Sequence, residues 1–259
     1  MDIYQHFRLE EHAFIDQAVS WKEMVELRHQ LLLTDFLDPR EQQILANVIG
    51  KTNEEIQLSF LGGLKKTERK RAIIATYYLT IEEHDFKLSL LEANFERKFN
   101  ILSHRDVLGA FLSLGFDRKK LGDIIVNENI IQLIIAKEIS TYVQTNLTKI
   151  KRASIRLQEK DLSDMIDINE EWIESDHTVS SMRLDVILKE IYRTSRKKAA
   201  ELIQKKAVKV NFKIVEDVSY RLYEGDLISV KGKGRSKLLH IHGRTKKDKW
   251  RITSAILRF

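Results

Sequence analysis

In residues 181–211, SMRLDVILKEIYRTSRKKAAELIQKKAVKVN, two apolar stripes and a dense set of cations occur together. Leu184, Ile187, Leu188 and Ile191 share one face of a helix opened at Ser181, which leaves Arg183 and Lys189 to point elsewhere. A second helix begins at Thr194 or Ser195 as its cap and packs Ala199, Leu202 and Ile203. Val208-Lys209-Val210-Asn211 alternates as a strand does, and Gly225-Asp226 turns the chain into Leu227-Ile228-Ser229-Val230. The expected unit is two helices over a small twisted sheet.

The charges of the second helix work against it. Arg196, Lys197 and Lys198 occupy its first turn, where the helix dipole already places partial positive charge, and each cation there costs about 0.3–1 kcal/mol. A bound phosphate reverses that sign, because free backbone N–H groups and three cations then face one anion. Lys205, Lys206 and Lys209, with Lys231, Lys233, Arg235 and Lys237 around Gly232 and Gly234, extend the same field. The reading requires that Arg196 to Lys198 cluster with Arg183 and are not consumed by the chain's own carboxylates. Over the whole chain the net charge is +6, but residues 181–259 hold 21 Lys+Arg against 8 Asp+Glu, or +13. Residues 1–180 are left with 23 against 30, or −7. A segmental asymmetry of this kind points to a polyanionic partner.

Upstream, residues 1–71 are expected to be mostly helical, with one helix starting at Asp38-Pro39-Arg40-Glu41 and ending at Gly50. Lys65, Lys66, Arg69, Lys70 and Arg71 after Gly62-Gly63 form a local basic cluster and a secondary set of RNA-binding candidates. Residues 72–158 read as an α+β unit: strands at 72–79 and 87–95 across the turn 82–85, then a helix capped by Ser103 and Asp106 and stopped at Gly115. A strand pair at 123–126 and 130–136, a helix from Lys137 to Leu147 and a last strand at 152–157 complete it, in an order that resembles an RRM-like sandwich. Phe95 and Phe99 are its candidate stacking aromatics, with core packing the favoured role. Residues 159–180 are acidic and read as a linker, with room for a short strand around Trp172.

The ordered set Met182-Arg183-Leu184-Asp185, Ser195-Arg196, Ala199, Leu202-Ile203, Val208-Lys209-Val210-Asn211 and Gly225-Asp226-x-Ile228-x-Val230 resembles the S4 RNA-binding domain, of the αL type. It departs at Lys206 and Phe212, where glycines are common. By this resemblance Arg183 and Arg196 weigh most for RNA contact, Asp185 orients a neighbouring arginine, and Asn211 joins the RNA-binding candidates. Elsewhere, residues 36–41, Gly62-Gly63 with 68–71, Leu102-Ser103-His104-Arg105-Asp106 through Gly109, Gly122-Asp123-Ile124 and Lys231-Gly232-x-Gly234-Arg235 are similar to the YlmH family. That family implies an N-terminal helical segment, an RRM-like middle and a terminal S4 domain, with binding to the large (50S) ribosomal subunit. The likeness of the S4 part to RqcP and the heat-shock S4 protein implies action on obstructed subunits that still hold peptidyl-tRNA. Expected partners are therefore structured RNA, namely ribosomal RNA with tRNA as a further candidate, and no membrane or small-molecule substrate.

Enzyme readings fit poorly. Arg183-Leu184-Asp185 lacks the run that a pseudouridine synthase places after its aspartate, and neither Gly62-Gly63 nor Gly232-x-Gly234 opens a nucleotide-binding helix. His240 and His242 stand without further metal ligands nearby, and His104-Arg105-Asp106 is explained by capping. No catalytic residue, metal or cofactor is expected. The chain has no cysteine, and the charges at Asp2, Arg8, Glu10 and Glu11 break any secretory apolar run, so a cytoplasmic location is expected. The competing readings are a protein-interaction adaptor localised by its basic end, and an RNA-modifying enzyme with an unfamiliar centre.

Overall fold

The computed structural model describes residues 4, 7–50, 55–64, 66–96, 101–167 and 171–257. The chain divides into two compact units, Met1–Ile168 and Asn169–Phe259.

In the first unit, helix α1 (His12–Arg28) ends with His29 in the left-handed region, φ 52°. Strand β1 (Leu32–Leu33) follows, then α2 (Pro39–Ile49). Asp38 caps α2 by accepting from the Arg40 and Glu41 amides, and Glu41 reaches back to the Asp38 amide, while Pro39 supplies the fixed φ of the first turn. Gly50 leaves α2 at φ 86°. Helix is the main regular structure among the described residues of 1–71, and β2 (Ile56–Leu61) and β3 (Arg71–Thr76) add to it a sheet in the order β1-β3-β2, which the sequence reading lacked. Every residue of β3 is buried, so it carries no polar alternation to announce which sheet it joins.

A second sheet is built from β4 (Leu88–Asn94), β5 (Leu121–Asn127), β6 (Ile130–Ala136) and β9 (Gln158–Lys160). Helix α3 (His104–Leu112) lies between β4 and β5, and α4 (Ser140–Asn146) follows β6. The two-residue strands β7 (Lys149–Ile150) and β8 (Ala153–Ser154) pair only with each other. Spatial order is β5-β6-β4-β9, all antiparallel, which is the fourth-first-third-second order of a βαββαβ sandwich. Two expected strands are corrected. Residues 72–79 do not pair with 87–95, since β3 and β4 sit in different sheets; and 152–157 is a hairpin arm, with β9 closing the sheet instead.

The two sheets of this unit are joined by buried contacts. Phe36 packs so closely on Gly122 that a Cβ there would lie 2.6 Å from the ring, and the Phe36 amide bonds the Lys119 carbonyl at 2.9 Å. Arg71 donates to the carbonyls of Thr34 and Lys87 and pairs with Glu138 at 3.3 Å. Lys120 bridges Asp35 at 2.7 Å and Glu138 at 3.1 Å.

In the second unit, β10 (Trp172–Val179) leads into α5 (Leu184–Ile191) and α6 (Arg196–Gln204). Five strands follow: β11 (Val208–Val210), β12 (Lys213–Ile214), β13 (Leu227–Val230), β14 (Gly234–Arg244) and β15 (Trp250–Leu257). They form one antiparallel sheet in the order β10-β15-β14-β13-β11-β12. Leu184, Ile187, Leu188 and Ile191 of α5 and Ala199 and Ile203 of α6 pack on Val208, Val210, Ile228, Val230, Leu238 and Ile252. Full burial of each large apolar side chain contributes about 1.5–3 kcal/mol. The acidic stretch 159–180 is thus only partly a linker, because β9 takes its start and β10 its end. Paired with β15 over its whole length, β10 tolerates acidic side chains by sitting at the sheet edge.

Lys206 and Phe212, the two departures from glycine, adopt φ 55° and 67°. The fold has kept the backbone that glycine would ease and accepted strained side chains there. Lys206→Gly is expected to raise the stability of the second unit by about 0.5–1 kcal/mol, net of the entropy that glycine adds to the unfolded chain, as read from the thermal midpoint. A fall in the midpoint would show that the exposed Lys206–Glu216 pair outweighs the strain.

Candidate nucleic-acid interface

Arg183 is the N-cap of α5 rather than part of a helix begun at Ser181, and its extended backbone (ψ 144°) turns the guanidinium back across the first turn. Asp185, two residues on, is 3 % exposed. One of its carboxylate oxygens accepts from Arg183 Nε at 3.0 Å; the other accepts from Arg183 Nη2 at 3.2 Å and from Arg196 Nε at 2.8 Å. Burial pushes the Asp185 carboxyl up, and the hydrogen bonds from Arg183 and Arg196 more than reverse it, leaving it below the ordinary carboxylate range. The same bonds push the Arg183 guanidinium up.

This arrangement meets half of what the sequence required and corrects the other half. Arg196 does gather with Arg183, but it is not uncommitted, since both share one carboxylate. The cost is one unit of charge. In return both guanidiniums are held at a fixed place with most donors unspent among the described residues: of five N–H groups each, Arg183 uses two on Asp185 and Arg196 one. Beside them Lys197 and Lys198 stand exposed in the first turn of α6, and Ser195 caps that turn by accepting from the Lys198 amide at 3.1 Å.

The remaining candidates do not form one field. Lys205, exposed, and Lys206, paired with Glu216 at 3.0 Å, end α6, and the Lys231 amide bonds the Ala207 carbonyl at 2.8 Å, which brings Lys231 to that end. Lys233 lies over the Tyr192 ring at 5.6 Å. Lys209 and Arg235 flank Ser229 in register, and with Lys237 they alternate with buried residues that face the helices, so they project from the opposite side of the sheet. Asn211 is a correction. It is 8 % exposed, donates to Asp226 at 2.8 Å and accepts from the Leu227 amide at 3.0 Å, so its side chain builds the turn at φ 47° and does not face a ligand.

The secondary cluster is corrected as well. Arg69 and Arg71 are interior: Arg69 donates to the Phe36 carbonyl and Arg71 joins the two sheets. Their segment is held by Asp123, which accepts from the Glu68 amide at 2.7 Å and the Arg69 amide at 3.0 Å and whose carboxyl burial pushes up. Lys66 pairs with Asp167, Lys70 bonds Leu37 through its backbone, and Lys65 lies outside the described residues. None of strands β4, β5, β6 and β9 carries an aromatic residue. Phe95 is buried in the core and Phe99 lies outside the described residues, so among the described residues neither candidate offers that sheet a stacking platform. Ser103 and Asp106 close the start of α3, and a hydrogen bond from Lys151 together with that from Ser103 lowers the Asp106 carboxyl to about 2. Among the described residues no group of three or more His, Cys, Asp and Glu is placed to hold a metal ion.

Three family models match the chain in order: the YlmH N-terminal model over residues 10–79, "Putative RNA-binding domain in YlmH" over 82–164, and the S4 domain over 182–228. The chain belongs to the YlmH family. Among similar curated proteins, "Ribosome-associated protein quality control protein P2" of Bacillus subtilis (strain 168) is 45% identical over 256 residues, covering 97% of each chain. An "Uncharacterized RNA pseudouridine synthase" of Aquifex aeolicus (strain VF5) is 46% identical over 52 residues, 20% of this chain and 22% of that protein. The solved structure "Cell division protein ylmH from Streptococcus pneumoniae" superposes with a TM-score of 0.55 at 32% identity, covering 64% of this chain and 99% of that one. In this YlmH protein the matched S4 residues contain the Asp185 clasp, α6 and β11 but stop within β13, so β10, β14 and β15 lie outside them. The boundary between the first two family models falls at 79–82, between β3 and β4, where the sheets divide.

Asp185→Asn separates charge from geometry. It adds one positive charge, which by Coulomb attraction alone tightens RNA binding, but it frees two guanidiniums whose ordering the carboxylate supplies. A net loss of about tenfold in affinity for a structured RNA is expected; tighter binding would show that the clasp has no ordering role. Since Asp185 titrates below its unfolded value of about 3.9, the clasp's contribution to stability is complete above that pH. It is lost as pH falls through the lower folded-state value, and an acid titration of the Asn variant lacks this component.

Proposed function

We propose that this YlmH protein is a non-catalytic RNA-binding factor of the cytoplasm that binds ribosomal RNA of the large subunit and acts on obstructed subunits carrying peptidyl-tRNA. The observation that carries the reading is the Asp185 clasp, which fixes Arg183 and Arg196 beside the exposed Lys197 and Lys198 at the first turn of α6. Preset guanidiniums at a helix N-terminus suit phosphate oxygens, for which planar bidentate donors and free amides act together. Ribosome association and quality control are named for the Bacillus subtilis relative that matches the whole chain, and they are carried over to this protein on that likeness. The non-catalytic part rests on where the candidate groups are spent. Asp185 is occupied by two arginines and Asp106 by a cap and Lys151, so neither is left as a base. The likeness to a pseudouridine synthase spans 22% of that protein.

Removing both arginines alone would strand a buried carboxylate, so the test combines Arg183→Gln and Arg196→Gln with Asp185→Asn. This variant is expected to keep its circular dichroism spectrum and to lose co-sedimentation with purified large subunits by more than tenfold at about 0.1 M salt. Undiminished co-sedimentation of the folded variant would overturn the reading.

A further inference from the structure

Five cations, Arg244, Lys246, Lys247, Lys249 and Arg251, fall within the eight residues at the tip of the β14–β15 hairpin, with Asp248 as the one carboxylate among them. The sequence reads residues 181–259 as an S4 domain with a basic C-terminal tail, and in the structure these cations of that tail sit on a β-hairpin beyond the matched S4 residues. Asp248 is spent on Arg244, which also lies over the Trp250 ring at 4.8 Å. Among the described residues Lys246, Lys247, Lys249 and Arg251 have no ion-pair partner, and all four are exposed. The turn itself is closed by backbone: the Thr245 amide bonds the Lys249 carbonyl at 2.7 Å, the Asp248 amide bonds the Thr245 carbonyl at 2.9 Å, and Asp248 takes φ 56°. Lys246 and Lys247 therefore occupy the two central positions of the turn, where packing imposes nothing and neighbouring like charges repel.

The hairpin is also aimed. β14 pairs with β13 only over its first four residues, 234–237, and continues to 244 with β15 on one side and, among the described residues, no strand on the other. Two register shifts, between Leu238 and His240 and between Ile241 and Gly243, fall in that outer half, and bulges of this kind bend and twist a strand away from its sheet. Arg251 alternates with buried Ile252 and so projects on the side of the sheet away from the helices, the side of Lys209, Arg235 and Lys237. Glu174 and Asp176 on the edge strand β10 bound that side, and Asp176 is engaged by the Thr253 hydroxyl at 2.6 Å. At the base of the tip Trp250 pairs with Val179, four residues before Arg183, so the base of the hairpin lies within about 20 Å of the Arg183 backbone.

We propose that the β14–β15 hairpin tip is a second RNA-binding element, in which Lys246, Lys247, Lys249 and Arg251 contact backbone phosphates of the same folded RNA that the Asp185 clasp engages. The proposal rests on the RNA-binding reading above. It makes the unit bivalent: the second contact forms at the high effective concentration set by a rigid sheet, so both can be individually weak.

The experiment measures affinity of the full-length protein for a purified stem-loop RNA and for large ribosomal subunits over a salt series. It compares wild type, the triple variant Lys246→Ala/Lys247→Ala/Lys249→Ala and the charge-keeping triple Lys246→Arg/Lys247→Arg/Lys249→Arg. Each lost phosphate contact lowers the log–log salt slope by about 0.7–0.9, so the alanine variant is expected to lose about 2 from the slope and to bind about 10- to 100-fold more weakly at 0.1 M salt. The arginine variant is expected to match wild type, and the thermal midpoints of all three to agree closely, because the three side chains are exposed and make no ion pair among the described residues. An alanine variant with unchanged slope and affinity overturns the hairpin proposal while leaving the clasp reading intact. Wild type that binds neither RNA nor subunits overturns the clasp reading itself. Sedimentation with phosphatidylglycerol vesicles that depends on the three lysines while RNA binding does not would assign the tip to an anionic membrane surface and equally overturn it.

Discussion

One buried carboxylate organises the basic end of this protein. Asp185 receives three N–H groups from two arginines eleven and two residues away, and so ties the cap of α5 to the first turn of α6. Without it, cations would crowd a helix start that already repels them, with nothing to fix their directions. With it, repulsion between the two guanidiniums is offset locally, and the net positive charge is displayed by Lys197 and Lys198 and by the outward N–H groups. In the function proposed above, neutralising part of the surface in order to shape it is a trade between Coulomb attraction and conformational entropy.

The first unit uses charge differently. Arg71, Lys120, Asp35 and Glu138 form a partly buried network between two sheets, and Asp123 anchors the 68–69 backbone beside it. Two segments matched by separate family models therefore share a core, with Phe36, Ile73 and Ala75 packed among residues of the second sheet. Basic residues at 69 and 71 serve architecture there and add nothing to a cationic surface on residues 1–180, whose net charge is −7.

The C-terminal strands extend the S4 domain in a specific way. β14 and β15 close the sheet against β10 and lift a cationic turn beyond β13. Cations that are continuous in sequence become separate in space: the clasp and Lys197–Lys198 at the helices, Lys205, Lys206 and Lys231 at the far end of α6, and Lys209, Arg235 and Lys237 on the other side of the sheet. On the proposed function, cations on several faces of this unit would suit a crevice between RNA elements rather than one flat surface.

The sequence by itself determined the α+β class, two helices at the basic end, the helix start at Asp38-Pro39, the cap at Ser103 and a cap at Thr194 or Ser195, which the structure assigns to Ser195, while the resemblance to the S4 domain supplied the role of Asp185 in holding an arginine. These are local matters, since helical periodicity, capping and turn chemistry act over three or four residues. Even the departures at Lys206 and Phe212 were visible, because only backbone conformation decides what glycine does there. Tertiary structure alone decided that β3 and β4 belong to different sheets, that Arg69, Arg71 and Asn211 turn inward, and that 244–251 forms a raised tip. A buried strand carries no alternation to fix its partner, and an arginine's charge reads the same whether its guanidinium meets water, a carbonyl or a phosphate. Which of these it meets depends on residues far away in the chain, and only the packed fold brings them together.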